Sequence, residues 1–418
     1  MGGGLVQLIA NKTDDTKFLI GNPDITFFKI VYRRHTNFAV ESIEQKFLSD
    51  PIIGSKLIAI ISKEADLCNA MYLEISLPHV LSGNKYIYGV GNALIKEVSI
   101  DIGGTIIDTH YNDWLNIWGE LTVSNGKREG YDRLVGNNPN NTFGLASSLT
   151  SNSPYTNRLY IPLQFWFNRN PGLALPLLSL QNTQIKLNIQ LASYAEITHS
   201  GTIVDTYNEF SCRLFIDYIY LDNDEKQRFT QLTHEYLIEQ VQYNNDFIIS
   251  SVDQGKNIKI DLQFERPVKE VIWVNHLTVP TNNELFDYSN GSNSEVTFVG
   301  KIFVNGQDRF IERNNGYFRL VQNNMCHTNI PRTKLYNISQ NGNIDKLQFK
   351  NYNQFINTYS FALNPENFQP SGHYNFSHIK QTTLQLNYNS IIANYNVKIY
   401  AINYNILRIV NGIATLVF

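Results

Sequence analysis

One succession of strand-like runs, punctuated in a fixed order, occurs before residue 222 and again after it. Nothing else in the sequence constrains the fold so tightly. In the first half, β-branched, aromatic or alternating runs at 25–34, 57–62, 71–77, 94–102, 105–110, 158–167, 184–191 and 212–221 read as strands. Gly103-Gly104 marks a tight hairpin between two of them. A polar stretch rich in Asn, Ser and Gly fills 124–156, and a Pro/Gly connection spans 170–176. In the second half strands are expected at 236–243, 258–264, 268–274, 296–304, 308–311, 359–363, 379–386 and 397–410. Asn305-Gly306 takes the place of Gly103-Gly104, 313–355 that of the long polar stretch, and 364–372 that of the Pro/Gly connection. The order of elements repeats while the residues do not, over about two hundred residues, far beyond a solenoid period. Eight antiparallel strands in two packed sheets make a jelly roll. The chain therefore reads as all-β: two tandem eight-stranded antiparallel jelly rolls with short helices in the loops. The expected division is an N-terminal arm at 1–24, a first jelly roll at 25–222 and a second at 223–418. Two breaks in the strand pattern predict helices. Trp114, Ile117, Trp118 and Leu121 recur at helical spacing within 111–123, and 222–231 is a charged, helix-prone linker.

A chain of 418 residues, 43% hydrophobic and 17% charged, has room for two such cores. A net charge of −3 argues against a protein that wraps nucleic acid through an overall basic surface. Cys68, Cys212 and Cys326 are far apart and odd in number, so neither a disulfide framework nor a zinc ribbon is expected. No secretory signal is visible, and no apolar run approaches the ~18 residues of a spanning helix. Met1-Gly2 opens like a myristoylation site, but Val6 stands where Ser or Thr is wanted. The expectation is a chain soluble and intracellular at synthesis, in a reducing compartment.

Candidate chemistry is sparse. His234-Glu235 could begin a zinc-protease helix, but residue 238 is Ile rather than a second His, and the stretch is strand-like. Asp101 and Asp108 flank a hairpin and could imitate a glycosidase pair, though solvation at a turn edge explains them equally well. His110, Asp113 and Trp114 are accounted for by helix capping from Asn112 or Asp113 and by a core around Trp114 and Trp118. Gly103-Gly104 lacks the rest of a phosphate loop. Arg33-Arg34-His35 is the most basic short patch and reads as a solvated face or a subunit ion pair rather than a nucleic-acid contact. No nucleophile, base and oxyanion donor come together, so no enzyme, cofactor or metal site is expected. Asn-x-Ser/Thr sequons make Asn140, Asn290 and Asn337 candidate glycan acceptors. The apolar residues Leu5, Val6 and Leu8 of the arm, with Arg33 and Arg34, are candidate assembly contacts.

Six stretches carry a resemblance. They are residues 2–7 (GGGLVQ), 22–38 (NPDITFFKIVYRRHTNF), 113–118 (DWLNIW), 161–176 (IPLQFWFNRNPGLALP), 234–240 (HEYLIEQ) and 369–372 (QPSG). Taken in order across nearly the whole chain, they resemble the double jelly-roll major capsid proteins of large nucleocytoplasmic DNA viruses, the phycodnavirus, iridovirus and mimivirus group. The resemblance implies a structural protein whose homotrimers form pseudo-hexagonal capsomers that tile an icosahedral shell. It implies neighbouring capsomers, minor capsid proteins and penton proteins as partners, no direct nucleic acid, and an inner membrane met only indirectly. It also implies synthesis in the host cytoplasm, towers built from 124–156 and 313–355, and an inner face carrying the arm. Alternatives are a minor or paralogous capsid protein of the same fold, or a jelly-roll carbohydrate-binding protein or glycosidase, which need not purify as a trimer.

Overall fold

A computed structural model describes residues 2–78, 86–137, 158–198, 210–278, 285–290, 294–331, 334–336, 348–350, 355–388 and 393–418. The chain divides into two units, residues 1–37 and 38–418. The strands of the first half are β1 (Phe38–Gln45), β2 (Lys56–Ile60), β3 (Leu67–Ser76), β4 (Ile95–Ile102), β5 (Thr105–Tyr111), β6 (Arg158–Pro162), β7 (Ile185–Leu191) and β8 (Ser211–Leu221). They form two antiparallel sheets in the orders β1-β8-β3-β6 and β2-β7-β4-β5. The second half supplies β9 (His234–Ile249), β10 (Asn257–Asp261), β11 (Pro267–Leu277), β12 (Val299–Val304), β13 (Gln307–Asp308), β14 (Asn357–Ser360), β15 (Thr382–Asn387) and β16 (Tyr395–Val410). Their sheets run β9-β16-β11-β14 and β10-β15-β12-β13, the same order of visits as in the first half. The tandem double jelly roll expected from the sequence is therefore the observed architecture. β17 (Ile413–Leu416) folds back on β16 through Asn411-Gly412, both at positive φ.

Alternation along the strands explains the first core. On β7, Ile185, Leu187, Ile189 and Leu191 point inward while the residues between them are half-exposed. They meet Met71, Leu73 and Ile75 of β3 and Leu214 and Ile216 of β8 across the sandwich. The hairpin at Gly103-Gly104 forms as expected, with both glycines at positive φ.

The second half breaks the alternation for a reason. β11 is buried at every position after Pro267. Its Val271 and Trp273, with Val397, Ile399 and Ala401 of β16, face the core of their own jelly roll. Ile272 and Val274, with Tyr400 and Ile402, belong instead to the apolar cluster that includes the first half's core. A sheet covered on both faces needs near-continuous apolar strands, and residues 271–274 (VIWV) supply one.

Several expectations need correction. No strand occupies 25–34; the first strand is β1, beginning at Phe38. β1 pairs with β8 from Gln45↔Leu214 to Phe38↔Leu221, and beyond Leu221 the chain enters a helix at Asn223. The ladder has no residue left to offer anything before Phe38, and a strand without a ladder leaves its backbone unpaired. The predicted strand at 158–167 stops at Pro162 and gives way to a helical turn, Trp166–Arg169. Asn168 holds that turn: its Oδ1 accepts from the Phe165 amide at 3.2 Å. The polar stretches are not wholly loop. Asn125–Leu134 is helical, and a wide helical turn, Tyr317–Gln322, runs into Asn323–Cys326.

The unit 1–37, taken by itself, contains the helix α1 (Gly3–Ala10), a turn at Asp14–Thr16 and a helical turn, Lys17–Ile20. None of the residues in these elements is buried. The arm expected to have little structure thus carries a short helix. Residues 31–37 that follow have no assigned turn or helix.

Candidate functional site

The residues weighed for catalysis and set aside make structural contacts. Asp101 accepts the Gly104 amide at 2.7 Å and closes the hairpin turn. Asp108, expected at a solvated turn edge, is buried. Its Oδ1 accepts from the Val241 amide of β9 at 2.9 Å and the Thr109 amide at 3.0 Å. His110 Nε2 stands 3.0 Å from Asp108 Oδ2, and its ring stacks on Phe165 at 4.7 Å between centroids. His234 and Glu235 lie on β9 rather than on a helix, with Glu235 paired to Arg408 of β16 at 2.7 Å. Burial pushes the Cys68 and Cys212 thiols up, which makes them poor nucleophiles.

What these residues build is the junction between the two jelly rolls. Tyr111, at the end of β5, precedes the helix α2 (Asn112–Thr122), as the helical spacing predicted. The expected cap by Asn112 or Asp113 does not form: both lie inside the first turn, the cap position is Tyr111 with no side-chain cap, and Asn112 Oδ1 accepts only the neighbouring Asp113 amide at 2.8 Å. The Trp114 ring stacks on Trp118 at 5.4 Å and tilts against Tyr400 of β16 at 5.7 Å. Tyr243 of β9 stacks on Tyr400 at 4.9 Å and meets Tyr111 at 5.2 Å. Beneath these rings Asp113 is fully buried and binds Lys398 of β16, while the Tyr288 hydroxyl donates to it at 3.0 Å. Burial by itself would raise the Asp113 carboxyl. Lys398, His276 and the hydrogen bonds from Lys398 and Tyr288 overcome it and leave the group below its ordinary range.

A second charged cluster lies along the same junction. Arg169, from the turn after β6, binds Glu239 of β9 at 3.1 Å and lies over the Trp118 ring at 5.0 Å. Glu239 also binds Lys269 of β11, whose side chain is fully buried. Next on β11, Glu270 stands 3.1 Å from His327 Nε2, and His327 Nδ1 is 2.9 Å from Glu366 Oε1. Glu366 further accepts the Thr328 amide at 2.9 Å. A surface cleft with a volume of about 820 Å³ borders this cluster, its walls including Trp118, Lys127, Tyr131, Arg169, Thr328 and Glu366. Arg169, Glu239, Lys269, Glu270, His327 and Lys398 belong to no catalytic or metal-binding sequence motif. A signal was there: Lys269-Glu270 interrupts an apolar run, and buried charges persist only when paired.

The candidate assembly contacts are exposed. Leu5, Val6 and Leu8 lie on α1, and Arg33 and Arg34 lie in the irregular segment before β1, with no carboxylate partner among the described residues. Phe27, Phe28, Ile30, Val31 and Tyr32 beside them are largely solvent-exposed, Phe28 by 97%. Of the sequon asparagines, Asn140 and Asn337 lie outside the described residues. Asn290 is half-buried and accepts the Ser294 amide at 3.2 Å. Among the described residues no group of three or more His, Cys, Asp or Glu could hold a metal ion, and no helix is long and apolar enough to cross a membrane.

Comparison with known proteins meets this geometry. A profile described as "Major capsid protein N-terminus" matches residues 26–222. A second, "Large eukaryotic DNA virus major capsid protein", matches 225–350 and 352–415. The chain is 41% identical over 421 residues to the major capsid protein of Pyramimonas orientalis virus, covering 100% of both. It is 34% identical over 468 residues to that of Paramecium bursaria Chlorella virus 1, again covering 100% of both. Among solved structures, the quasi-atomic model of the PBCV-1 virus capsid superposes with a TM-score of 0.76 at 30% identity, over 94% of this chain and 100% of that one. The Faustovirus major capsid protein shares the fold, with a TM-score of 0.70 at 12% identity over 92% of this chain and 93% of that one.

Proposed function

The chain belongs to the large eukaryotic DNA virus major capsid protein family, and from that membership we propose that it assembles as a homotrimeric capsomer. It is a structural, non-enzymatic subunit of a virion shell, and it self-associates there. The trimer rests on one observation: a single chain holds two jelly rolls of identical strand order, side by side across an apolar and charge-paired junction. Three such chains present six similar barrels, which fill a near-hexagonal tile, while the differing sequences of the halves let individual contacts be tuned. The arm residues Leu5, Val6 and Leu8, with Arg33 and Arg34, are the proposed contacts to other copies or to inner-shell proteins. The boundary between the two jelly rolls at 222/223 is supported by family profiles that end at 222 and resume at 225, while the first jelly roll's strands begin at Phe38 rather than at residue 25.

The recombinant chain should run in native mass measurement at three times its 48.0 kDa. Obligate interfaces of this kind are large and rich in apolar groups, so the trimer should persist at micromolar concentration. A stable monomer by light scattering under those conditions refutes the trimer.

A further inference from the structure

The exposed segment before β1 has the pattern of a strand and no ladder. In residues 25–34, Phe28, Ile30 and Tyr32 share one face, and Phe27 and Val31 share the other with Lys29 and Arg33. β1 has the complementary deficit. Among the described residues it pairs with β8 alone, so one of its edges is open. Phe38 and Val40 on it are more than half exposed. An open edge of this sort is a template for an added strand, and its exposed charges restrict which strand can add. A hairpin of 25–34 onto its own β1 would need a turn, and residues 31–37 contain none.

We propose that residues 25–34 of one copy add as a strand along the open edge of β1 in a second copy of this chain. Charge selects the partner. The segment carries Lys29, Arg33 and Arg34 with no acid, whereas β1 carries Glu41 and Glu44 with no base, all of them exposed. Opposite charges along neighbouring strands stabilise the pairing and reject like-charged partners. Backbone bonds supply affinity and the alternating side chains supply register, as in other strand-addition contacts. The inference rests on the self-association argued above and names the surface that would carry it.

The test uses the full chain. A photo-crosslinking phenylalanine analogue replaces Phe28, and isotopically heavy and light copies are mixed before irradiation. Crosslinks should join Phe28 of one isotope to residues 38–45 of the other. Arg33→Glu with Arg34→Glu should weaken association by at least ~10-fold, and Glu41→Lys with Glu44→Lys in the same chain should restore it. Crosslinks confined to one isotope, crosslinks elsewhere on the second copy, or no rescue by the reversed acids would each overturn the proposal. Native mass separates this result from the trimer itself. A dimer with heavy–light crosslinks at β1 removes the trimer and keeps the strand addition. A trimer crosslinked elsewhere does the reverse, and a monomer removes both.

Discussion

Lys398→Met should destabilise the chain by roughly 3–5 kcal/mol, the cost of leaving a buried charge without its partner. Asp113 is fully buried at the start of α2, beneath Trp114 and against β16. Without Lys398 it keeps only the Tyr288 hydroxyl and the nearby His276 as favourable neighbours. The burden falls on the junction, because Asp113 belongs to the first jelly roll and Lys398 to the second. Urea unfolding followed by tryptophan fluorescence reads this directly, since Trp114 and Trp118 sit in that contact. Two controls fix the cause. Asp113→Asn added to Lys398→Met removes both charges and should recover most of the loss, as paired deletions of buried ions do. The gap between the single variant and the parent should also narrow in acid. In the parent, the depressed Asp113 carboxyl contributes stability that is present above its unfolded value and lost as pH falls through the folded one. In the variant, burial raises that carboxyl, so protonation relieves it. A loss that persists undiminished in the double variant would assign the effect to lost packing of the lysine stem.

Much of this fold was legible because jelly-roll strands alternate. β7 reads IKLNIQL, and its buried positions are its apolar ones. The hairpins at Gly103-Gly104 and Asn305-Gly306 were legible because a tight turn needs positive φ, which all four residues adopt. The first strand was not. Residues 25–34 carry a stronger strand pattern than β1, yet β1 forms because its partner is β8, which ends at Leu221. Local pattern cannot reveal where a ladder partner runs out, and a pattern suited to pairing within the chain suits pairing between chains equally well. The helical turn at Trp166–Arg169 was hidden for a related reason. Its apolar residues are buried as in a strand, and only the Asn168 bond to Phe165 distinguishes the two. The junction charges were hidden more deeply. Asp113 and Lys398 are 285 positions apart, and Arg169, Glu239 and His327 come from three different connections and strands. Each alone resembles a surface residue; only the second jelly roll, laid over the first, buries them together.

His327 gives the junction a pH dependence of opposite sign. Its side chain is fully buried between Glu270 and Glu366. Burial alone would lower the imidazolium. The charge of Glu270, 3.1 Å away, and the hydrogen bond to Glu366 outweigh it and raise the group from 6.5 to about 9. A folded value above the unfolded one means stability that is fully present below pH 6.5 and lost as pH rises through about 9. The amount at stake is roughly 3 kcal/mol, from the size of that rise. Other charges face the site: Lys269 and Glu239 from the same sheet, and Arg169 from the first jelly roll. Burial holds Lys269 below its ordinary value, so its own titration pushes stability the other way in alkali. The informative quantity is therefore the difference between the parent and His327→Gln, in which Lys269 is common to both. Thermal unfolding should show the variant well below the parent at pH 6 and the two curves converging above pH 9, because a neutral His327 leaves Glu270 as poorly served as a glutamine does. A parallel offset at every pH would mean that His327 contributes shape and hydrogen bonds alone. Convergence would mean that its charge binds the 366 connection to β11 at Glu270, next in sequence to Lys269, which shares Glu239 with Arg169 of the first jelly roll.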